Sequence, residues 1–242
     1  PEWSLKYRDL EPYYVQAEKL YQVHGQSRED PTEPFRSQEF PYPAVSHEPR
    51  IQEISDILKS RGLNTYHTPV GIHLNEAQRY LSECIRCNTC DGFPCLVQAK
   101  SDAEVSAVRP VMGQSNVTLL TEAKVLKLHT SPSGREISRV EVEVRDPESG
   151  QLRIQNFSGD VVAIACGAVN SAALLLKSAN DQHPNGLANR SDQVGRNFMK
   201  HVLGSIIGVS KKPNPTKFQK TLSINDFYWG ENGYEYPMGQ IQ

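Results

Sequence analysis

Four cysteines fall close together, Cys84, Cys87, Cys90 and Cys95, spaced C-x2-C-x2-C-x4-C. Thiolates so placed can converge on zinc or on an iron–sulfur cluster. The bacterial iron–sulfur run is C-x2-C-x2-C-x3-C-P, whereas here the last interval is longer and Pro94 precedes the final cysteine. Zinc sites more often pair two separated C-x2-C knuckles. The reading adopted is therefore no metal, with these four thiols as the ligands should a cluster exist. One or two local disulfides, or buried thiols packing as small apolar groups, are the alternatives that the same residues leave open.

The second chemical stretch is Asp160 to Ser178. Val161 to Ala165 is a short β-branched apolar run, which predicts a strand buried on both faces of a parallel sheet. Gly167 and Ala168 follow, then Ala172 to Leu176 predict a helix. A strand, small residues and a helix bring unpaired N–H groups to a point where a phosphate can be bound, and Gly167 and Ala168 let a ligand approach the backbone. A βα unit without a ligand is the plainer alternative. Cys166 reads as an inert thiol unless it lies beside the helix start, where its pKa would drop. The seven histidines show no H-x3-H or HExxH spacing, and there is no G-x-S-x-G, P-loop or G-x-G-x-x-G motif.

The elements that must carry these groups can be read from pattern. A helix from about Asp9 carries an apolar stripe of Leu10, Tyr13, Ala17, Leu20 and Tyr21, and Gly25 closes it. Residues 26–49 are proline-rich and irregular, too aromatic at Phe35, Phe40 and Tyr42 to be a free linker. A second helix covers Arg50 to Arg61, with Ile51, Ile54, Ile57 and Leu58 inward and Gly62 as its stop. A short helix near Asp102–Val108 ends at Pro110. The period then changes to two. Strands are predicted at 117–120, 125–129, 137–144, 152–157, 161–165 and 203–209, with a turn over Asp146 to Gly150.

The class is therefore α/β in an α+β mixed arrangement, with a meander about 137–157 and the helix 168–178 beside it. Residues 1–83 are expected to form a helical and irregular lobe. A net charge of −2 argues against nucleic acid, which needs a clustered basic surface. No apolar run reaches the length of a membrane span. Clustered rather than dispersed cysteines, and no signal-peptide layout, favour a cytoplasmic protein.

Several of these stretches together resemble one family, the glucose–methanol–choline (GMC) FAD-dependent oxidoreductases. Gly167 to Ser178 is similar to the signature G-[AST]-x2-[ST]-[PS]-x2-L-L-x2-S-G, with Ala172 and Ala179 in place of its Pro or Ser and its final Gly. Val194 to His201 resembles V-G-x-N-[LF] ending in His, with Lys200 where an acidic residue is common. Asn116 to Val125 looks like the strand pair whose valine backbone meets the adenine of FAD. Trp3 to Glu18 and Cys84 to Lys100 are similar to segments of the bacterial branch.

The resemblance implies a partial FAD-binding domain over 84–201 and the start of a substrate-binding domain over 202–242. The activity implied is oxidation of an alcohol CH–OH by hydride transfer to the flavin, with a small alcohol as substrate. It implies that Val125 meets adenine, that Cys166, Gly167 and Ala168 lie near the ribose and pyrophosphate, and that Ser171 caps the helix. The family's Gly-rich Rossmann turn and its catalytic histidine have no counterpart here, so the chain is expected to be a central segment with no catalytic residue. Alone it is expected to bind FAD weakly or not at all, and to expose apolar surface that drives self-association. An iron–sulfur electron-transfer module, as in some GMC-like dehydrogenases, and a non-catalytic binding domain are the other two readings.

Overall fold

The structure is a computed structural model that describes residues 4–90, 92–231, 233–234 and 236–242. The chain forms two compact units, Pro1–Val117 with Gly208–Gln242, and Thr118–Ile207.

In the first unit, helix α1 spans Tyr7–Leu20. Asp9 is not its cap but its third residue, where the carboxylate accepts the Lys6 N–H at 2.9 Å. The buried face is also not the expected apolar stripe. It is Glu11 and Val15, one turn apart, because the Glu11 carboxylate accepts the Ser37 N–H at 2.7 Å, while Tyr13 faces solvent. Strand β1 (Val23–Gly25) pairs parallel to β2 (Tyr42–Pro43) and antiparallel to β4 (Val70–Gly71). Helix α2 (Pro49–Ser60) opens on a proline at its first turn, and Gly62, at φ +84°, follows its end as expected. Its one fully buried residue is Ser55, whose hydroxyl meets that of Thr65 at 2.7 Å, while Ile57 is exposed.

Strand β3 (Thr65–His67) pairs antiparallel with β8 (Leu222–Ile224), so the C-terminal stretch returns to residues long before it. Nothing in the alternation of these short strands announced them. The expected helix near 102–108 is a π-helical turn at Glu104–Val108 that runs on into helix α3 (Arg109–Val111). The run stops at Val111, one residue past Pro110, where the helix was expected to end. The core of this unit is Val45, Ile72, Leu74, Cys84, Ala99 and Phe218.

The second unit is an antiparallel meander of β5 (Ala123–Thr130), β6 (Ile137–Arg145) and β7 (Leu152–Phe157) with helix α4 (Gly167–Lys177). The turn between β6 and β7 is the expected one: Asp146 Oδ1 accepts the N–H groups of Glu148 and Ser149, and Gly150 takes φ +69°. Leu128, Leu174 and Leu187 form the core. β5 is an edge strand, and Ser178 closes part of its free edge. The Ser178 hydroxyl accepts the Leu128 N–H at 3.0 Å and donates to the Leu174 carbonyl at 2.7 Å.

Three predicted strands are corrected. Residues 117–120, 161–165 and 203–209 pair with no strand among the described residues. Residues 161–165 were expected to be buried on both faces, but only Val162 and Ile164 pack on the second core and Val161 is 86% exposed. With no flanking strand the backbone has no ladder to join. Along 203–209 the apolar residues stand in solvent, with Val209 98% exposed.

Candidate functional site

The start of α4 is where backbone chemistry is available. Cys166 is its N-cap and bonds no N–H of the first turn with its side chain. The Cys166 N–H donates to the Ser171 hydroxyl at 3.1 Å, so Ser171 satisfies the residue before the helix instead of capping the helix itself. Gly167 takes φ +76°, and a Cβ built there would find nothing within 4 Å. The left-handed conformation favours glycine, and the open space above it leaves room for a ligand against the backbone. Ala168 beside it is exposed and adds only a methyl group. The helix is eleven residues long, so its dipole and its unpaired first-turn amides favour an anion at this end. A phosphate group is the kind of anion such a helix start can accept.

Val125 lies in the same unit on β5, opposite Val142 of β6, and is partly exposed. The bonds that fasten α4 to β5 run through Leu128, Leu174 and Ser178, three residues along the strand from Val125. Thus Cys166, Gly167, Ala168 and Ser171 are brought together in one turn, and Val125 stands on the strand against which their helix is fastened.

The cysteine run folds in the first unit. Cys84 is buried in the core there, and Cys90 and Cys95 pack against it. All five cysteines are free thiols. Among the described residues no three His, Cys, Asp or Glu side chains are grouped to hold a metal ion. The environments differ. Burial pushes the Cys84 and Cys90 thiols up. Bonds from Thr89 pull Cys87 down. For Cys95, burial raises the pKa but is outweighed by backbone N–H groups from Ala99, Lys100 and Val97. The loop is closed by Lys100, whose ammonium donates to the Cys90 carbonyl at 2.6 Å and the Phe93 carbonyl at 2.7 Å.

A histidine pair escaped sequence reading because its members are twenty residues apart and follow no ligand spacing. The His47 and His67 rings stack with centroids 4.1 Å apart, His67 pairs with Glu29 at 2.8 Å, and His47 meets the Thr221 hydroxyl at 2.9 Å. Burial, then the charge of His67, hold His47 down to about 4.

Residues 60–203, more than half of the chain, match the family described as GMC oxidoreductase. Among similar proteins, 6'''-hydroxyparomomycin C oxidase of Streptomyces lividus is 29% identical over 80% of this chain and 34% of its own length. Paromamine 6'-oxidase of Streptomyces fradiae is 27% identical over 88% of this chain and 37% of its own. The large subunit of fructose dehydrogenase from Gluconobacter japonicus is 28% identical over 83% and 35%. The chain thus spans about a third of the length of these relatives.

Proposed function

The chain belongs to the GMC oxidoreductase family, and from that premise we propose that it is the central segment of an FAD-dependent enzyme that oxidises an alcohol CH–OH group. The observation that carries the reading is the α4 turn: an uncapped helix start, entered through a left-handed glycine with open space above it.

In this reading Cys166, Gly167 and Ala168 receive the phosphate and ribose of FAD, and Val125 offers its backbone to the adenine. Ser171 holds the Cys166 N–H, which fixes the direction of the turn. A bound flavin supplies the hydride acceptor. The residues of this chain bind and orient the cofactor, and no general base for the hydroxyl proton is assigned among them. The relatives named above support the class of reaction, because their names describe oxidases and a dehydrogenase.

The test compares this chain with the longer protein in which it would be embedded. In the longer protein, Gly167→Val and Ala168→Glu should each strip FAD during gel filtration, read as the loss of flavin absorbance per protein. Unchanged flavin content in both variants would sink the assignment. The 242-residue chain alone should bind FAD no tighter than the high micromolar range, since part of the cradle comes from elsewhere.

A further inference from the structure

A cleft of about 620 Å³ lies within the first unit, well away in sequence from the α4 turn. Its walls come from the end of α1, the proline-rich excursion, β3 and the C-terminal stretch. Asn225, which lines it, is 8% exposed, and its Oδ1 is buried with no partner among the described residues. The amide orientation is fixed by its neighbours. Nδ2 donates to Asp30 Oδ2 at 2.8 Å and to the Thr32 hydroxyl at 3.1 Å. Thr32 in turn spends its proton on Asp30 Oδ1 at 2.7 Å. Turning the amide over would set its carbonyl against the carboxylate, so Oδ1 must be the atom left over. A buried acceptor without a donor is costly, and a ligand that brings an O–H or N–H relieves that cost.

The rest of the lining narrows the ligand. Trp229 is 69% exposed and stands edge-on to Tyr228 at 4.9 Å, which leaves a broad aromatic face available. Three carboxylates, Glu18, Asp30 and Glu33, line the cleft against a single arginine, Arg36. That guanidinium is gripped by both oxygens of Glu18 and lies over the Phe40 ring at 3.8 Å. Arg36 also meets Glu33 at 3.5 Å, so two of the three carboxylates share one guanidinium and the lining stays net negative. An aromatic platform, an orphaned acceptor and excess carboxylate fit a hydroxylated ring bearing a protonated amine.

We propose that this cleft is a recognition site for an amino sugar, with Trp229 under the ring, Asn225 Oδ1 accepting from a hydroxyl or ammonium group, and Asp30 and Glu33 selecting the cation. The proposal rests on the alcohol-oxidation reading only for calling the ligand a substrate; binding itself requires no flavin.

The experiment titrates D-glucosamine, D-glucose and cyclohexylamine into the 242-residue chain, read by intrinsic fluorescence and by amide chemical shifts. D-glucosamine should saturate at millimolar concentration and bind at least about fivefold tighter than either D-glucose or cyclohexylamine. Trp229→Ala, at an exposed position, should weaken it about tenfold. Glu33→Gln should weaken D-glucosamine about threefold or more and leave D-glucose unchanged. Circular dichroism matching the unmodified chain establishes that each variant is folded. Lack of saturation by D-glucosamine, equal binding of the three probes, or unmodified affinity in both folded variants overturns the proposal. Because the flavin test is separate, failure here with FAD lost in the α4 variants refutes the cleft alone. Success here with flavin retained in those variants refutes the cofactor assignment alone.

Discussion

Ser178→Ala should destabilise the second unit out of proportion to the single oxygen removed. Ser178 is fully buried, and its hydroxyl is the partner of the Leu128 N–H on the free edge of β5. The Leu174 carbonyl keeps the Ser178 backbone N–H at 3.0 Å after the change, so that acceptor is not orphaned. The Leu128 amide loses its partner in a site where water does not reach, Leu128 itself being 1% exposed. Leaving a buried donor unmade costs about 1–3 kcal/mol. Native-state hydrogen exchange at Leu128 reads this directly: its protection should fall about 5- to 150-fold, on the scale of about 1.4 kcal/mol per tenfold. Urea unfolding of the chain should show the same loss in the transition reported by β5–β7. Ser138→Ala is the control. Its hydroxyl donates to the His129 carbonyl at 3.2 Å in an exposed place, and its loss should stay within about 0.5 kcal/mol. If Ser178→Ala leaves Leu128 protected and costs no more than the control, the edge is not closed by this hydroxyl and the reasoning fails.

Two further outcomes are expected. His47 is held down to about 4, below its ordinary 6.5, first by burial and then by the charge of His67, so the native state favours the neutral ring. Its contribution to stability is full above about pH 6.5 and is lost as pH falls toward 4. A proton NMR titration should place the His47 midpoint below about 5, and His47→Asn should flatten the fall in stability across that window. Gly186→Ala should cost about 1–3 kcal/mol in urea unfolding, because Gly186 has φ +101° and the new Cβ would stand 2.9 Å from Leu176 Cα and 3.0 Å from the Leu175 carbonyl. Gly150→Ala, also left-handed but with nothing within 4 Å, should cost less, about 1–2 kcal/mol.

What the sequence made legible follows from the range of the forces involved. The β6–β7 hairpin, α2 with its glycine stop and the glycine start of α4 are set by neighbours a few residues apart, so pattern reading found them, though not as the strand-to-helix junction expected at α4. The buried face of α1 was misplaced because a carboxylate, Glu11, is drawn inward by the Ser37 backbone twenty-six residues away. β3 was missed because its partner, Leu222–Ile224, is far along the chain. The runs at 161–165 and 203–209 have strand composition, but composition cannot supply the neighbouring backbone that makes a strand. The same distance effect hid Asn225, whose partners Asp30 and Thr32 lie near the other end of the chain. The turn residues Cys166, Gly167 and Ala168 were legible because a glycine directly ahead of a run of helix formers marks a bend that needs no distant contact to set it.

Lys100 gives the cysteine loop a property that no thiol in it possesses. Its ammonium is a compact donor shared by two carbonyls, those of Cys90 and Phe93, and a planar guanidinium does not reproduce that grip. The clasp is electrostatic and made to main chain, so it is indifferent to which side chains occupy the run. The loop that carries the thiols is thereby answerable to an amine: neutralise that one nitrogen and the loop loses its latch with no cysteine altered.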